Sequence, residues 1–337
     1  MNAGARRALG GALLAAGLVL AALGGYAALN PVEPPYRYEV AGPAAPPDDP
    51  DVADALTRAN LSLREARLVD HATGRTLAEL RFAEADDGPV MLDWRPKVDE
   101  PFLLAAAPLR EVAQLAAALR RHVPADALVL AWWDTSRQLA LLAGTQTRFD
   151  RHVIGAPLAL PAQWVPARSA IEHVESAFWL RGNGGNAAEA SPPFGAWVDA
   201  MLASPADGAA RLRALAGKRE AYAVVHVRDA LLLGAMAPQR LGVALREQPD
   251  GGNLHGAISG ARDWMRAQRY AAYSAYAPEP GRVRVLALTD EASAGTLIAG
   301  LLPFHDPIRK PEPVPGMTLV HQVGGFWVYR IEDGGSL

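Results

Sequence analysis

The sequence predicts an α/β domain, a mixed sheet with covering helices, lying outside a membrane behind one N-terminal transmembrane helix. Three observations predict it. An uncharged run from Ala8 to Leu29 follows Arg6 and Arg7; apolar runs of strand length lead three times through an aspartate into a helical run; and alternating segments joined at glycines mark hairpins near both ends of the body.

The apolar run comes first. Its 22 residues rise 1.5 Å each in a helix and span about 33 Å, enough to cross a bilayer core. A cleaved signal peptide is the rival reading, but its apolar region would be about 7–15 residues long and end at a small-residue site, which Ala22-Leu23-Gly24 matches only loosely. Tyr26 suits the membrane interface, and two arginines before the span hold that end in the cytoplasm. The expectation is a single-pass protein of a bacterial inner membrane with the bulk of the chain periplasmic. Residues 1–30 then form the cytoplasmic tip and anchor, 31–50 a linker, 51–180 a first lobe, 181–193 a Gly/Pro loop and 194–337 a second lobe.

Seven of the twenty residues from Pro31 to Pro50 are proline, which stiffens the segment into an extended spacer. Within it Tyr36–Val40 alternates and avoids proline, so it can pair as an edge strand. Leu61–Val69 and Thr76–Phe82 form a hairpin with Gly74 placed for the turn, and Pro89–Trp94 supplies a third strand. The rhythm then changes. Pro108 sits at a helix start, and Leu109, Val112, Leu115, Ala116 and Leu119 recur at helical spacing. Ala127–Trp132 is a strand followed by a helix that ends at Gly144, with Thr135 and Gln138 spaced for a capping box. Helices are expected at Ser169–Trp179 and Phe194–Leu202. The strand–Asp–helix pattern returns at Ala221–Met236 and again at Arg282–Leu301. Met317–Val323 and Phe326–Glu332, joined at Gly324-Gly325, close the chain as a hairpin.

Composition removes several functions. With 33 basic against 36 acidic residues there is no domain-wide positive field, so a general nucleic-acid binder is excluded. The absence of cysteine removes disulfides, thiolate nucleophiles, iron–sulfur clusters and covalently attached c-type haem. Gly182-x-Gly184-x-x-Ala187 has the letters of a dinucleotide fingerprint, but a helix end precedes it and Pro192-Pro193 follow, which is the wrong context. The eight histidines are scattered, and Glu172 and Glu175 read as a carboxylate pair on the surface of their helix. No catalytic residue, metal site or cofactor is expected of this chain.

Two segments carry the binding expectations. In Val129–Gly144 a strand delivers Trp132, Trp133, Asp134 and Thr135 to its carboxyl end, the place where open α/β sheets bind ligands. Strand alternation puts Trp132 with Leu128 and Leu130, and Trp133 with Val129 and Ala131. The two tryptophans are either core or the walls of a binding mouth, and Asp134 is either a helix-end charge or a recognition group. In Leu254–Tyr276, Arg262, Arg266 and Arg269 make a basic stripe on a helix, with Tyr270, Tyr273 and Tyr276 directly behind it. Arg and Tyr are enriched at protein interfaces, so the segment is a candidate docking surface.

Trp132-Trp133-Asp134 resembles the opening of the W-W-D-Y-G stretch in the soluble domain of oligosaccharyltransferase catalytic subunits. There the stretch recognises the acceptor sequon, which implies a peptide- or glycan-binding module as the alternative reading. A broader resemblance spans most of the chain. The single anchor, the proline-rich spacer, Trp132–Gln138 and the closing hairpin with Gly325-Phe326-Trp327-Val328-Tyr329 together look like the hydroxylamine oxidation protein HaoB family. These are membrane-anchored proteins encoded beside a multihaem hydroxylamine oxidoreductase. The resemblance implies a non-catalytic accessory protein whose partner is that periplasmic multihaem enzyme.

Overall fold

The structure, a computed structural model, describes residues 32–86, 88–98, 106–155, 160–180, 192–249, 254–279, 281–305 and 312–332. The expected anchor at Ala8–Leu29 and most of the Gly/Pro segment, with its Gly182-x-Gly184 letters, lie outside the described residues. Among the described residues, no helix is long and apolar enough to cross a membrane.

The mixed α/β architecture is present, and the described residues form three sheets. The first is antiparallel, in the order β1 (Tyr36–Pro43), β2 (Leu63–Asp70), β3 (Thr76–Ala85) and β4 (Gly88–Pro96). Gly74, at φ +70°, makes the turn between β2 and β3 where the sequence placed it. The edge strand expected at Tyr36–Val40 is β1, paired Tyr36 to Asp70. Ahead of β2 runs a helix the sequence reading did not name, α1 (Pro50–Arg58). Asp49 caps it with bonds from the Asp51 and Val52 amides, and Pro50 stands at its first turn.

The central sheet has five strands in the order β11 (Met317–Val323), β12 (Phe326–Ile331), β7 (Ala221–His226), β5 (Leu128–Leu130) and β6 (Gln146–Thr147). β5 runs parallel to both β6 and β7, whereas β12 is antiparallel to β7. Strands from both sides of the Gly/Pro segment therefore share one sheet. Helices cover both of its faces, and side-chain alternation decides which residue meets which layer. Leu128, Leu130, Ala223 and Val225 point to the core that contains Trp197, Phe194 and Leu212, from α5 (Pro192–Met201) and α6 (Pro205–Ala216). Val129, Ala131, Tyr222 and Val224 point to the opposite core, filled by α1, α2 (Leu109–His122) and α3 (Trp133–Ala143). All five apolar residues that defined the α2 periodicity are buried.

The third strand–Asp–helix unit takes a different place. β10 (Arg282–Leu288) is the middle strand of a separate antiparallel sheet, between β8 (Val243–Pro249) and β9 (Ala272–Glu279). The helix expected after Asp290 breaks at Gly295 into α9 (Glu291–Ala294) and α10 (Leu297–Leu301). The remaining α-helices among the described residues are α4 (Arg168–Trp179), α7 (Val227–Met236) and α8 (Leu254–Gln268). On α4 the surface expectation for Glu175 is overturned. Glu175 is buried, and its carboxylate accepts hydrogen bonds from the Tyr36 and Tyr38 hydroxyls of β1 at 2.6 and 2.9 Å.

Candidate functional site

The carboxyl ends of the neighbouring parallel strands β5 and β7 each open directly into a helix, α3 and α7. Their first turns lie side by side, and both carry acids: Asp134 on α3 and Asp229 on α7. Arg228 of α7 reaches between them. It donates to Asp134 Oδ1 and, at 2.9 Å, to Thr135 Oγ1, and its Nε stands 3.6 Å from Asp229 Oδ1. All four side chains are buried. A guanidinium between two carboxylates offsets the desolvation that an isolated buried charge would suffer.

The capping box expected at Thr135 and Gln138 does not form. The N-cap lies three residues earlier, at Trp132, and makes no side-chain bond. The box groups are engaged in tertiary bonds instead. Thr135 accepts from Arg228, while Gln138 Nε2 donates to the Met91 carbonyl at 2.9 Å and Arg137 Nη1 to the Pro89 carbonyl at 3.0 Å. The polar first half of α3 thus ties the central sheet to β4, the edge strand of the first sheet.

A real capping box closes α7. His226 Nδ1 accepts from the Arg228 amide at 3.1 Å, and Asp229 Oδ2 accepts from the His226 amide at 2.9 Å. With Nδ1 an acceptor, the ring proton belongs on Nε2, which faces Glu111 Oε2 of α2 at 3.5 Å. Glu111 also accepts from the Tyr276 hydroxyl of β9 at 2.6 Å and from the Gly325 amide at 2.7 Å. The closing hairpin meets this cluster as bare backbone. A Cβ on Gly325 would fall 2.4 Å from His226 Nε2, and one on Gly324 would fall 2.1 Å from the Glu111 carboxyl carbon. The glycines let the turn approach that closely, and Gly324 also holds φ +52°.

Burial and partners set the charges. Burial pushes His226 down to about 4 against the opposing pull of Glu111, so the imidazole is neutral. Burial acts upward on Glu111, but bonds from His226, Tyr276 and Gly325 outweigh it and hold the carboxyl below its usual range. Burial raises Asp229 to about 7 despite Arg228 beside it. Beside the cluster is a cavity of about 20 Å³, lined by His226, Arg228, Tyr276 and Arg284 among apolar neighbours such as Leu231 and Leu286. That is room for about one water molecule.

These shifts oppose one another across one pH range. His226, depressed in the fold, contributes stability that is complete above its unfolded value near 6.5 and is lost as pH falls through 4. Asp229, raised in the fold, contributes stability that is complete below its unfolded value of 3.8 and is lost as pH rises through 7. Between 4 and 6.5 the two slopes offset each other. Removing Asp229's share by Asp229→Asn is expected to expose that of His226, a loss of about 3 kcal/mol as pH falls from 6.5 to 4. Urea unfolding of both proteins across that range measures it. A variant as flat as the wild type would reject a buried neutral His226.

Of the residues the sequence singled out, Trp132 is core, 2 % exposed and packed edge-on against Phe194 and Trp197 at ring distances of 5.3 and 5.6 Å. Trp133 is half-buried against His152, ring centroids 4.3 Å apart. It joins the same core side as Trp132, because the chain has already turned into the helix there and strand alternation no longer applies. Asp134 and Thr135 belong to the buried cluster. Glu111, His226 and Arg228 were not singled out. The matching strand–Asp–helix units at Asp134 and Asp229 were the available signal, since neighbouring parallel strands bring such aspartates together.

The second candidate segment is divided by the structure. Arg262 and Arg266 are exposed on α8, and Arg269, also exposed, follows the helix at φ +58°. Arg266 pairs with Asp263 at 2.5 Å. The tyrosines turn away from that face. Tyr273 is buried on β9 with its hydroxyl 3.3 Å from Arg262 Nε, Tyr270 packs against Trp264, and Tyr276 points inward to Glu111.

Among the described residues no three His, Asp or Glu side chains converge as a metal site. A family model described as HaoA-associated protein HaoB matches residues 2–331. No curated protein and no solved structure matches the chain.

Proposed function

The chain belongs to the HaoB family of HaoA-associated proteins, and from that premise we propose that it is a non-catalytic, membrane-anchored partner of the hydroxylamine oxidoreductase HaoA. The observation that carries the reading is the closure of the Asp134–Arg228–Asp229 and Glu111–His226–Tyr276 cluster. Its acids and its cation answer one another, both nitrogens of His226 face internal groups, and the adjoining cavity of about 20 Å³ is the size of a water molecule. A general base must reach the proton it removes, and here both imidazole nitrogens are directed at the Arg228 amide and the Glu111 carboxylate. The cluster is therefore a fastening between two sheets and three helices. In this reading residues 8–29 hold the protein in the inner membrane, and the body stands in the periplasm beside HaoA.

Docking is assigned to the exposed arginines Arg262, Arg266 and Arg269, which meet an acidic rim on the partner. Contacts of this kind act mainly on association rate and salt dependence. The expected result is that the full chain, purified in detergent with residues 1–30 retained by mass, binds HaoA more weakly as salt rises. Arg266→Glu lowers the association rate without changing the melting temperature. Tight binding indifferent to salt and to Arg266 would move the interface elsewhere. No binding to HaoA, or turnover of hydroxylamine by the isolated chain, would overturn the accessory reading.

A further inference from the structure

One cluster is not absorbed by the partner role. From the half-buried Trp133, aromatic rings follow one another without a break to the half-buried Trp164, which packs against Tyr36 of the first sheet. Trp133 meets His152 at 4.3 Å between centroids, and His152 stacks on Trp179 at 5.2 Å. Trp179 meets Tyr38 at 5.6 Å, Tyr38 meets Tyr36 at 6.0 Å, and Tyr36 meets Trp164 at 5.2 Å. The interior rings Trp179 and Tyr36 are 2 % and 5 % exposed. Trp179 Nε1 donates to the Tyr38 hydroxyl at 3.2 Å, and both tyrosine hydroxyls converge on one oxygen of Glu175.

Packing alone does not call for this carboxylate. Phe at positions 36 and 38 with an apolar residue at 175 would fill the same space without burying a charge, and such replacements are commonly neutral or stabilising. What the carboxylate adds is a proton acceptor, already hydrogen-bonded to two phenols. Indole and phenol rings lose single electrons most readily among side chains that lack a thiol, and this chain has no cysteine.

We propose that Trp133, His152, Trp179, Tyr38, Tyr36 and Trp164, with Glu175 as proton acceptor, form a hole-transfer path that carries one-electron oxidising equivalents to the buried tyrosine pair. A one-electron oxidant of the radical class takes an electron from Trp133 or Trp164 and is itself reduced. Trp133 recovers its electron from Trp179 across the stacked His152 ring, and Trp164 recovers its own from Tyr36, whose hydroxyl proton passes to Glu175. Oxidised Trp179 then takes an electron from Tyr38. The Tyr38 hydroxyl proton passes to Glu175, leaving a neutral tyrosyl radical, a protonated Glu175 and a restored indole. Burial raises the Glu175 carboxyl above its usual range, which suits it to accept that proton, while the phenols bonded to it act in the opposite direction. The path does not depend on the partner's identity.

The test is flash-quench photo-oxidation of the full chain in detergent with ruthenium tris-bipyridyl and a cobalt(III) quencher, read by transient absorption and by electron paramagnetic resonance of frozen samples. The wild type is expected to yield a neutral tyrosyl radical whose formation slows in deuterium oxide. Tyr36→Phe with Tyr38→Phe, which keeps both rings, should lower the tyrosyl signal several-fold and leave a tryptophanyl signal in its place. Glu175→Gln should slow tyrosyl formation several-fold. Trp179→Phe combined with Trp164→Phe, which interrupts both approaches, should lower the yield in the same way, and it serves where Glu175→Gln fails to fold. An undiminished tyrosyl signal in the double Phe variant would place oxidation at other tyrosines and overturn the proposal. An unchanged signal in that double tryptophan variant would do the same.

Discussion

Replacing Arg228 by methionine is expected to destabilise the protein by about 3–5 kcal/mol, the cost of leaving a buried charge without its partner. Methionine fills much of the same volume, so the loss measures charge more than cavity. Asp134 loses the guanidinium that bonds it and Thr135, and Asp229, which burial already lifts to about 7, is driven higher still. The triple variant Arg228→Met, Asp134→Asn, Asp229→Asn should recover most of that stability, because removing every charge of a buried network is often close to neutral. Urea midpoints for the single and triple variants decide the matter. A single-variant loss under about 1 kcal/mol would class this network with exposed ion pairs.

Trp132→Ala should cost a similar amount, about 3–5 kcal/mol, since its ring is enclosed by Phe194 and Trp197. Trp133→Ala should cost less, about 1–2 kcal/mol, because its half-buried ring gives up less area from water. The pair separates packing from recognition. If Trp133 also meets a partner, its variant will bind HaoA more weakly at a melting temperature near that of the wild type. Equal destabilisation of the two variants with intact binding would make both rings core.

The sequence carried most of the strands because their signals are local. Gly74 and Gly324 sit where hairpins need positive φ, and β5 and β7 are short apolar runs with a helical pattern behind them. It did not carry α1 or α6. The Asp49-Pro50 cap of α1 lies inside a proline-rich stretch that reads as a spacer, and the Ala- and Arg-rich α6 has weak apolar contrast despite Ser204 and Pro205 at its start. At the site, Asp134 was legible from its place after a strand. Arg228 was not, because nothing near it in the chain foretells a carboxylate delivered by a different helix. The capping box failed for the same reason: Thr135 and Gln138 have the right spacing, yet Arg228 and Met91 hold them. Glu175 looked like one more surface acid until β1 laid two phenols over it.

The order of the central sheet has a consequence for how the chain is born. Leu128 pairs with Ala221, and His226 with Phe326, so the middle strands wait for partners made much later. Synthesis delivers the N-terminal side first. The first sheet, whose strands are neighbours in the chain, can close early, since nearby contacts form fastest. β5 and β7 must then keep two apolar faces and an open edge from their neighbours until residues 317–331 emerge. Exposed strands of that kind invite aggregation. The nascent protein is therefore most vulnerable in the interval before β11 and β12 emerge.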